Sequence, residues 1–133
     1  RTDPNKVIIL ITKIESDGRT TLMIRNIPNK YTQDLLLEEF NKNFKVKFDF
    51  FYLPIDYNNT CNVGYAFINF IHAKFILAFY NEFNGKKWSR FNSEKICSLT
   101  YARIQGTGAL RNHFKNSHVM QQKVKIQLFR ISV

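Results

Sequence analysis

Val63-Gly64-Tyr65-Ala66-Phe67-Ile68-Asn69-Phe70 (VGYAFINF) alternates over its length. Read as a strand of period two, it sends Ala66, Ile68 and Phe70 to one face and Tyr65, Phe67 and Asn69 to the other. The first set suits a core. The second sets two aromatic rings side by side at the centre of a strand, next to a polar amide. A strand that served stability alone would not turn two rings toward water.

The elements around this octet follow from periodicity and breakers. Upstream, Thr21–Ile27 (TLMIRNI) alternates as well, with Leu22, Ile24 and Asn26 on one side and Met23 and Arg25 on the other; Pro28-Asn29 ends it. Thr32 is placed to cap a helix with Asp34 in its first turn. Leu35, Leu36 and Phe40 form the apolar face of that helix, and Glu38 and Glu39 are expected to point outward. Lys45–Ile55, dense in Phe and Tyr, reads as the next strand, and Asp56–Asn62 as a polar loop. His72–Asn84 is a helix with Phe75, Ile76, Phe79 and Phe83 at helical spacing, stopped at Asn84-Gly85. Lys95–Arg103 (KICSLTYAR) is the last core strand. The order strand, helix, strand, strand, helix, strand predicts an α+β fold of ferredoxin-like type. Two helices cover one face of a four-stranded antiparallel sheet and leave the other face open. Val7–Ile14 (VIILITKI) and Val124–Ile131 (VKIQLFRI) are expected to be flanking strands that pair with each other or extend the sheet. Leu110 and Phe114 predict a short third helix. The domain boundaries are then 1–18 for an N-terminal extension, 19–104 for the core and 105–133 for a C-terminal extension.

The bulk properties fit one domain of 133 residues with a single core. Twenty Lys and Arg against ten Asp and Glu give a formal net charge of +10, which favours a polyanionic partner. A bias toward Lys, Asn, Ile and Phe in the source genome is the competing explanation. The first residue is Arg1, and the chain is expected to be a piece of a longer protein. No apolar run approaches the roughly 18 residues of a membrane span. Cys61 and Cys97 are expected to be free thiols, and Asn58-Asn59-Thr60 a polar turn. Cys61, Cys97, His72, His113 and His118 lack zinc-ligand spacing. Gly106-Thr107-Gly108 carries Arg111 where a dinucleotide motif needs its third glycine. Neither a nucleophile–base pairing nor paired carboxylates occur where the strands would place a pocket, so no enzymatic reading has residue support and no cofactor is expected. Lys42, Lys45 and Lys47, with Lys86 and Lys87, read as solvated faces or as phosphate contacts. Trp88 is expected to pack near the end of the second helix.

The two exposed rings carry the chemistry. A nucleobase stacks on an aromatic ring for roughly 1–3 kcal/mol. The octet matches the RNA-recognition signature K/R-G-F/Y-G/A-F-V-x-F/Y at seven of eight places when Ile68 counts as Val; Val63 replaces the basic residue. In the companion hexamer Leu22–Ile27, Met23 stands where a ring is usual and offers a softer, polarizable platform. Single-stranded RNA is therefore the expected partner. Tyr65 and Phe67 would stack bases, Met23 would support one, and Arg25, Asn26, Asn69 and Arg103 would supply polar or charged contacts. Lys30, Phe51, Thr100, Arg111 and Lys115 are secondary candidates. Two alternatives stay open: the protein's own tail covers the rings, or the fold serves to dock a peptide or partner protein.

Arg19–Tyr31 (RTTLMIRNIPNKY), Cys61–Phe70 and Ser93–Cys97 together closely resemble the Mei-two-like family of RNA-binding proteins. The resemblance runs from about Glu15 to Met120 and takes in Arg103-Ile104-Gln105-Gly106 and Asn116–Met120 (NSHVM). Met23 and Val63 depart from generic RNA-recognition motifs but agree with this family. The resemblance implies a C-terminal RNA-recognition motif in a larger regulator, acting in RNA-dependent control of meiosis or development, in the nucleus, the cytoplasm or both.

Overall fold

The computed structural model describes residues 6–115 and 127–128. After a single 3-10 turn at Ile11–Lys13 come α1 (Ile14–Asp17), β1 (Thr21–Arg25), α2 (Gln33–Phe44), β2 (Phe48–Tyr52) and β3 (Tyr65–Phe70). A second 3-10 turn, Ala73–Phe75, leads into α3 (Ile76–Phe83), followed by β4 (Ser98–Tyr101), α4 (Thr107–Lys115) and β5 (Gln127–Leu128). The sheet order is β4-β1-β3-β2-β5, antiparallel throughout. The βαββαβ order read from the sequence is the order of β1 to β4 with α2 and α3.

Alternation sets the main core. Leu22 and Ile24 of β1, Ala66, Ile68 and Phe70 of β3, and Leu99 of β4 point to the helices and are almost fully buried. They meet Leu36, Phe40 and Phe44 of α2 and Ile76 and Phe79 of α3. Edge-to-face ring pairs pack this layer: Phe40 with Phe79 at 5.2 Å and Phe44 with Phe79 at 5.1 Å between centroids. Thr32 caps α2 by accepting from the Leu35 N–H at 3.2 Å, as its position implied.

The structure corrects several expectations. Glu39 does not face solvent. It is buried on α2, where it accepts from the Tyr31 hydroxyl and from Ser89 Oγ at 3.1 Å, and Arg90 Nε lies 3.4 Å away. Buried charge requires such partners, and helical spacing alone did not reveal them. Burial and the Glu39 contact push the Tyr31 hydroxyl up to about 12. Val7–Ile14 is not a strand. Residues 6–10 run beside β4 with one backbone bond, Tyr101 N–H to Val7 O at 2.6 Å, and then coil into the 3-10 turn and α1. One bond is no ladder, and β-branched content does not make a strand without a partner. Gly18, at φ +79°, ends α1 in the left-handed region. Of the second flank, Gln127–Leu128 extends the sheet at the β2 edge; the rest of Val124–Ile131 lies outside the described residues. Among the described residues, Val7 and Gln127–Leu128 thus meet opposite edges of the sheet. Cys61 and Cys97 are both free.

A bulge in β2 decides which of its side chains face away from the helices. The register shifts between Phe48, opposite Phe70, and Phe50, opposite Asn69. Asp49 and Phe50 therefore both turn away from the helices, whereas Phe48 and Phe51 stay in the main core.

Candidate nucleic-acid interface

On the sheet face opposite α2 and α3, half is covered and half is open. Helix α4 covers the β2 half. Phe50 and Tyr52 from β2 form a second small core with Leu110 and Phe114 from α4, with Phe67 and Ile104 packed at its margin. Phe114 lies 4.4 Å from the Tyr52 ring and 5.2 Å from the Phe67 ring, centroid to centroid. The tail thus does cover part of the platform. The spacing of Leu110 and Phe114 predicts a helix without naming the face it covers; the consecutive rings Phe50, Phe51 and Tyr52 are the one sequence signal that β2 is buried on both faces.

A polar hub fixes the start of α4. Asn69, on the same face as Phe67, is only 5% exposed. Its Oδ1 accepts from the hydroxyls of Thr20 and Thr21, each at 2.7 Å, and its Nδ2 donates to Asp49 Oδ1 at 2.9 Å and Thr107 Oγ1 at 3.0 Å. Thr107 Oγ1 in turn donates to Asp49 at 2.6 Å. The Gln105 side chain ties the same corner to β1 by accepting from the Thr20 and Thr21 N–H groups and donating to Thr21 O, all at 3.0 Å. Asn69 is therefore internal glue and not a free contact for RNA, a correction to the sequence reading. Its hydrogen-bonding capacity is spent on the protein. Phe51 is corrected too: the bulge turns it toward α2, where it is fully buried against Phe40 at 5.7 Å.

The other half of the face is open. Met23 pairs in register with Phe67 on β3 and with Thr100 on β4, so the three side chains make one row across the strands. They floor a hollow of about 340 Å³. Val7, Tyr101 and Ile104 complete its wall, and Arg25 and Arg103, both exposed, stand on its rim. Tyr65, 36% exposed, lies beside Phe67 with the rings nearly perpendicular at 5.8 Å. Five of the expected contacts, Met23, Arg25, Tyr65, Phe67 and Arg103, thus fall together, with Thr100 among them. Val7, Tyr101 and Ile104 were missed: Val7 sits in a segment read as a strand, Tyr101 ends β4 in register with the core residue Leu22, and Ile104 depends on the path after β4.

The remaining candidates lie elsewhere. Asn26 is exposed just past β1 with a left-handed backbone (φ +62°). Its Nδ2 donates to Ile96 O at 3.0 Å, and its carbonyl accepts from Trp88 Nε1 at 2.8 Å, so it pins the Trp88 region to the end of β1. Trp88 itself is buried against Tyr31. Lys30 lines a separate hollow with Leu53, Ile55 and Cys61. Arg111 and Lys115 are exposed on α4. Among the described residues, no group of three or more His, Cys, Asp or Glu is placed to hold a metal, and no helix is long and apolar enough to cross a membrane.

Comparison with known proteins places this architecture. The family model described as RNA recognition motif 2 matches residues 19–115. Protein MEI2-like 4 of Oryza sativa subsp. japonica is 60% identical over 106 residues, 80% of this chain and 11% of that protein. Protein MEI2-like 3 of Arabidopsis thaliana is 58% identical over 111 residues, 84% of this chain and 15% of that protein. The chain thus spans only 11–15% of these curated relatives. Among solved structures, the RNA15 RRM superposes with a TM-score of 0.53 at 17% identity, covering 64% of this chain and 91% of that one. The Rna15 RRM with bound RNA (GU) gives 0.54 at 17%, covering 72% and 97%. At this identity the likeness speaks to fold alone. The chain belongs to the RNA recognition motif 2 family, the type of RNA-recognition motif found in MEI2-like proteins.

Proposed function

We propose that this domain binds single-stranded RNA on the open half of its sheet, across β1, β3 and β4. The observation that carries the reading is the hollow floored by Met23, Phe67 and Thr100, with Arg25 and Arg103 on its rim and the Tyr65 ring beside it. A base set on the apolar floor loses contact with water, while the guanidinium groups reach the flanking phosphates or stack on a neighbouring base. Tyr65 takes the next base on its ring. The net charge of +10 draws the strand in. An RNA-recognition motif with bound RNA (GU) among the structural neighbours supports the same partner. The family is one of binding domains, and the chemistry assigned here is recognition without a bond-breaking step. Within the longer protein, this reading makes the domain the RNA-contacting module of a regulator of meiosis or development, working in the nucleus, the cytoplasm or both.

The test is a titration of fluorescent oligouridine across a range of salt concentrations, with the parent and Tyr65→Ala. Binding should weaken log-linearly with salt, and Tyr65→Ala should lose roughly 1–3 kcal/mol of affinity while melting as the parent does. Salt-independent binding, or a Tyr65→Ala variant that binds as the parent, refutes the reading.

A further inference from the structure

Side chains on the sheet face away from α2 and α3 fall into rows across the strands, and their polar groups divide between those rows. In the first row Thr21 of β1 stands opposite Asn69 of β3. Both are spent on the protein: Thr21 Oγ1 donates to Asn69 Oδ1 at 2.7 Å and accepts from the Gly106 N–H at 2.8 Å. The next two rows differ. Met23 stands between Phe67 and Thr100, and Arg25 between Tyr65 and Ser98. Along β4, Leu99 and Tyr101 are buried while Ser98 and Thr100 are half-buried, so alternation turns both hydroxyls to the open face. Among the described residues, neither hydroxyl has a hydrogen-bond partner in the protein, and neither do the exposed guanidinium groups of Arg25 and Arg103. Water serves such groups until a ligand with matching groups displaces it.

Strand spacing sets what these groups can reach. Neighbouring strands lie about 4.8 Å apart, so β4 is one such step beyond β1 and two beyond β3. A base laid across Phe67 and Met23 brings its edge to Thr100, and one laid on Tyr65 toward Arg25 brings its edge to Ser98. The rows repeat every second residue, about 6.8 Å along an antiparallel strand, twice the rise of about 3.4 Å per nucleotide in a stacked strand. Two bases in successive rows are thus parted from each other, each with its face on protein and its edge toward β4, an arrangement open to an unpaired strand. The donor count then sets the choice of base. A guanidinium offers five N–H donors and no acceptor, and a hydroxyl adds one donor and two acceptor lone pairs. Uracil carries the acceptor O4 where cytosine carries an amino donor, and guanine and adenine differ in the same sense at the exocyclic group of the six-membered ring. An amino group turned to this donor-rich edge loses its water without gaining a partner, which costs affinity.

From this arrangement we infer that Ser98 and Thr100, with Arg25 and Arg103 beside them, read the edges of two neighbouring bases and select those with an exocyclic carbonyl, uracil and guanine, over cytosine and adenine. The inference rests on the RNA-binding reading above and adds base selection to it, because a ring alone stacks every base.

The experiment titrates the whole chain with fluorescent oligouridine and oligocytidine of one length, for the parent, Ser98→Ala, Thr100→Val and the double variant. Valine keeps the branched shape of threonine in the strand and removes the hydroxyl. The parent should bind oligouridine at least about tenfold more tightly than oligocytidine. Each single variant should lower oligouridine affinity roughly 2- to 13-fold, the loss of one hydrogen bond. Oligocytidine affinity and the salt slope should hold, because no phosphate contact is removed. Equal affinity of the parent for the two oligomers overturns the inference, whatever the variants do. So does a preference that the folded double variant keeps in full, or a variant that weakens both oligomers alike. A parent that binds both equally while Tyr65→Ala weakens both removes base selection alone. A parent that binds neither removes the underlying reading as well.

Discussion

Asn69→Ala separates glue from contact. Asn69 holds the hydroxyls of Thr20, just before β1, and of Thr21, its first residue, with the Asp49 carboxylate and Thr107 at the start of α4. A neutral hydrogen bond contributes about 1 kcal/mol and one to a charged group about 1.5–3 kcal/mol, and a buried partner left unpaired adds to the loss. Three neutral bonds and the Asp49 bond sum to roughly 4.5–6 kcal/mol on that scale. Thr107 keeps its own bond to Asp49, and the threonine hydroxyls can turn to backbone acceptors. The expected destabilisation is therefore about 2–4 kcal/mol, a large share of a small domain's 5–15 kcal/mol. Equilibrium urea unfolding measures it. Oligouridine affinity, taken where the variant is folded, should be unchanged, because the Asn69 side chain is buried and spent on protein partners. A loss of stability under about 1 kcal/mol together with weakened RNA binding would show that Asn69 faces the ligand.

Two further outcomes come from the same geometry. Met23→Phe sets a ring in the row between Phe67 and Thr100, so RNA affinity should rise or hold by fluorescence titration; a drop beyond about tenfold with the fold intact contradicts the placement. Alkaline pH should destabilise the domain. Burial raises Tyr31 from 10.0 to about 12 and Cys97 from 9.0 to about 12, and raises Tyr101 as well. The fold holds these groups protonated, whereas the unfolded chain releases the same protons at lower pH. Their stabilisation is complete below about pH 9 and is lost as the pH climbs toward 12. The urea midpoint should fall across that window, and a flat midpoint contradicts the burial.

Much of the fold was legible in the sequence. The octet Val63–Phe70 disclosed its two faces because alternation in a central strand is rigid: Ala66, Ile68 and Phe70 are buried under the helices, as read. Met23, Arg25 and Tyr65 followed from the same rule. What failed needed partners distant in sequence. Asn69 obeys the alternation and does face away from the helices, yet Thr107, 38 residues on, claims it. Phe51 reversed its face because one extra residue at Asp49 shifts the phase of β2, and a bulge leaves no mark in a run of Phe and Tyr. Glu39 has the spacing of a solvated residue and is buried by Tyr31, Ser89 and Arg90. Val7–Ile14 carries strand-like content, but Val7 gives the β4 edge one backbone bond before the chain coils at Ile11–Lys13. The covered half of the platform was written in Leu110 and Phe114, whose spacing named a helix without saying which face it would cap.

The central claim is where RNA lies. Backbone amide shifts of the isotopically labelled chain, followed during titration with oligouridine, test it most directly. The largest saturable changes are expected at Met23, Arg25, Tyr65, Phe67, Thr100 and Arg103, with the exposed faces of α2 and α3 silent. Changes confined to the helix side, at residues such as Lys42, Lys86 and Lys87, with β1, β3 and β4 unmoved, would contradict it.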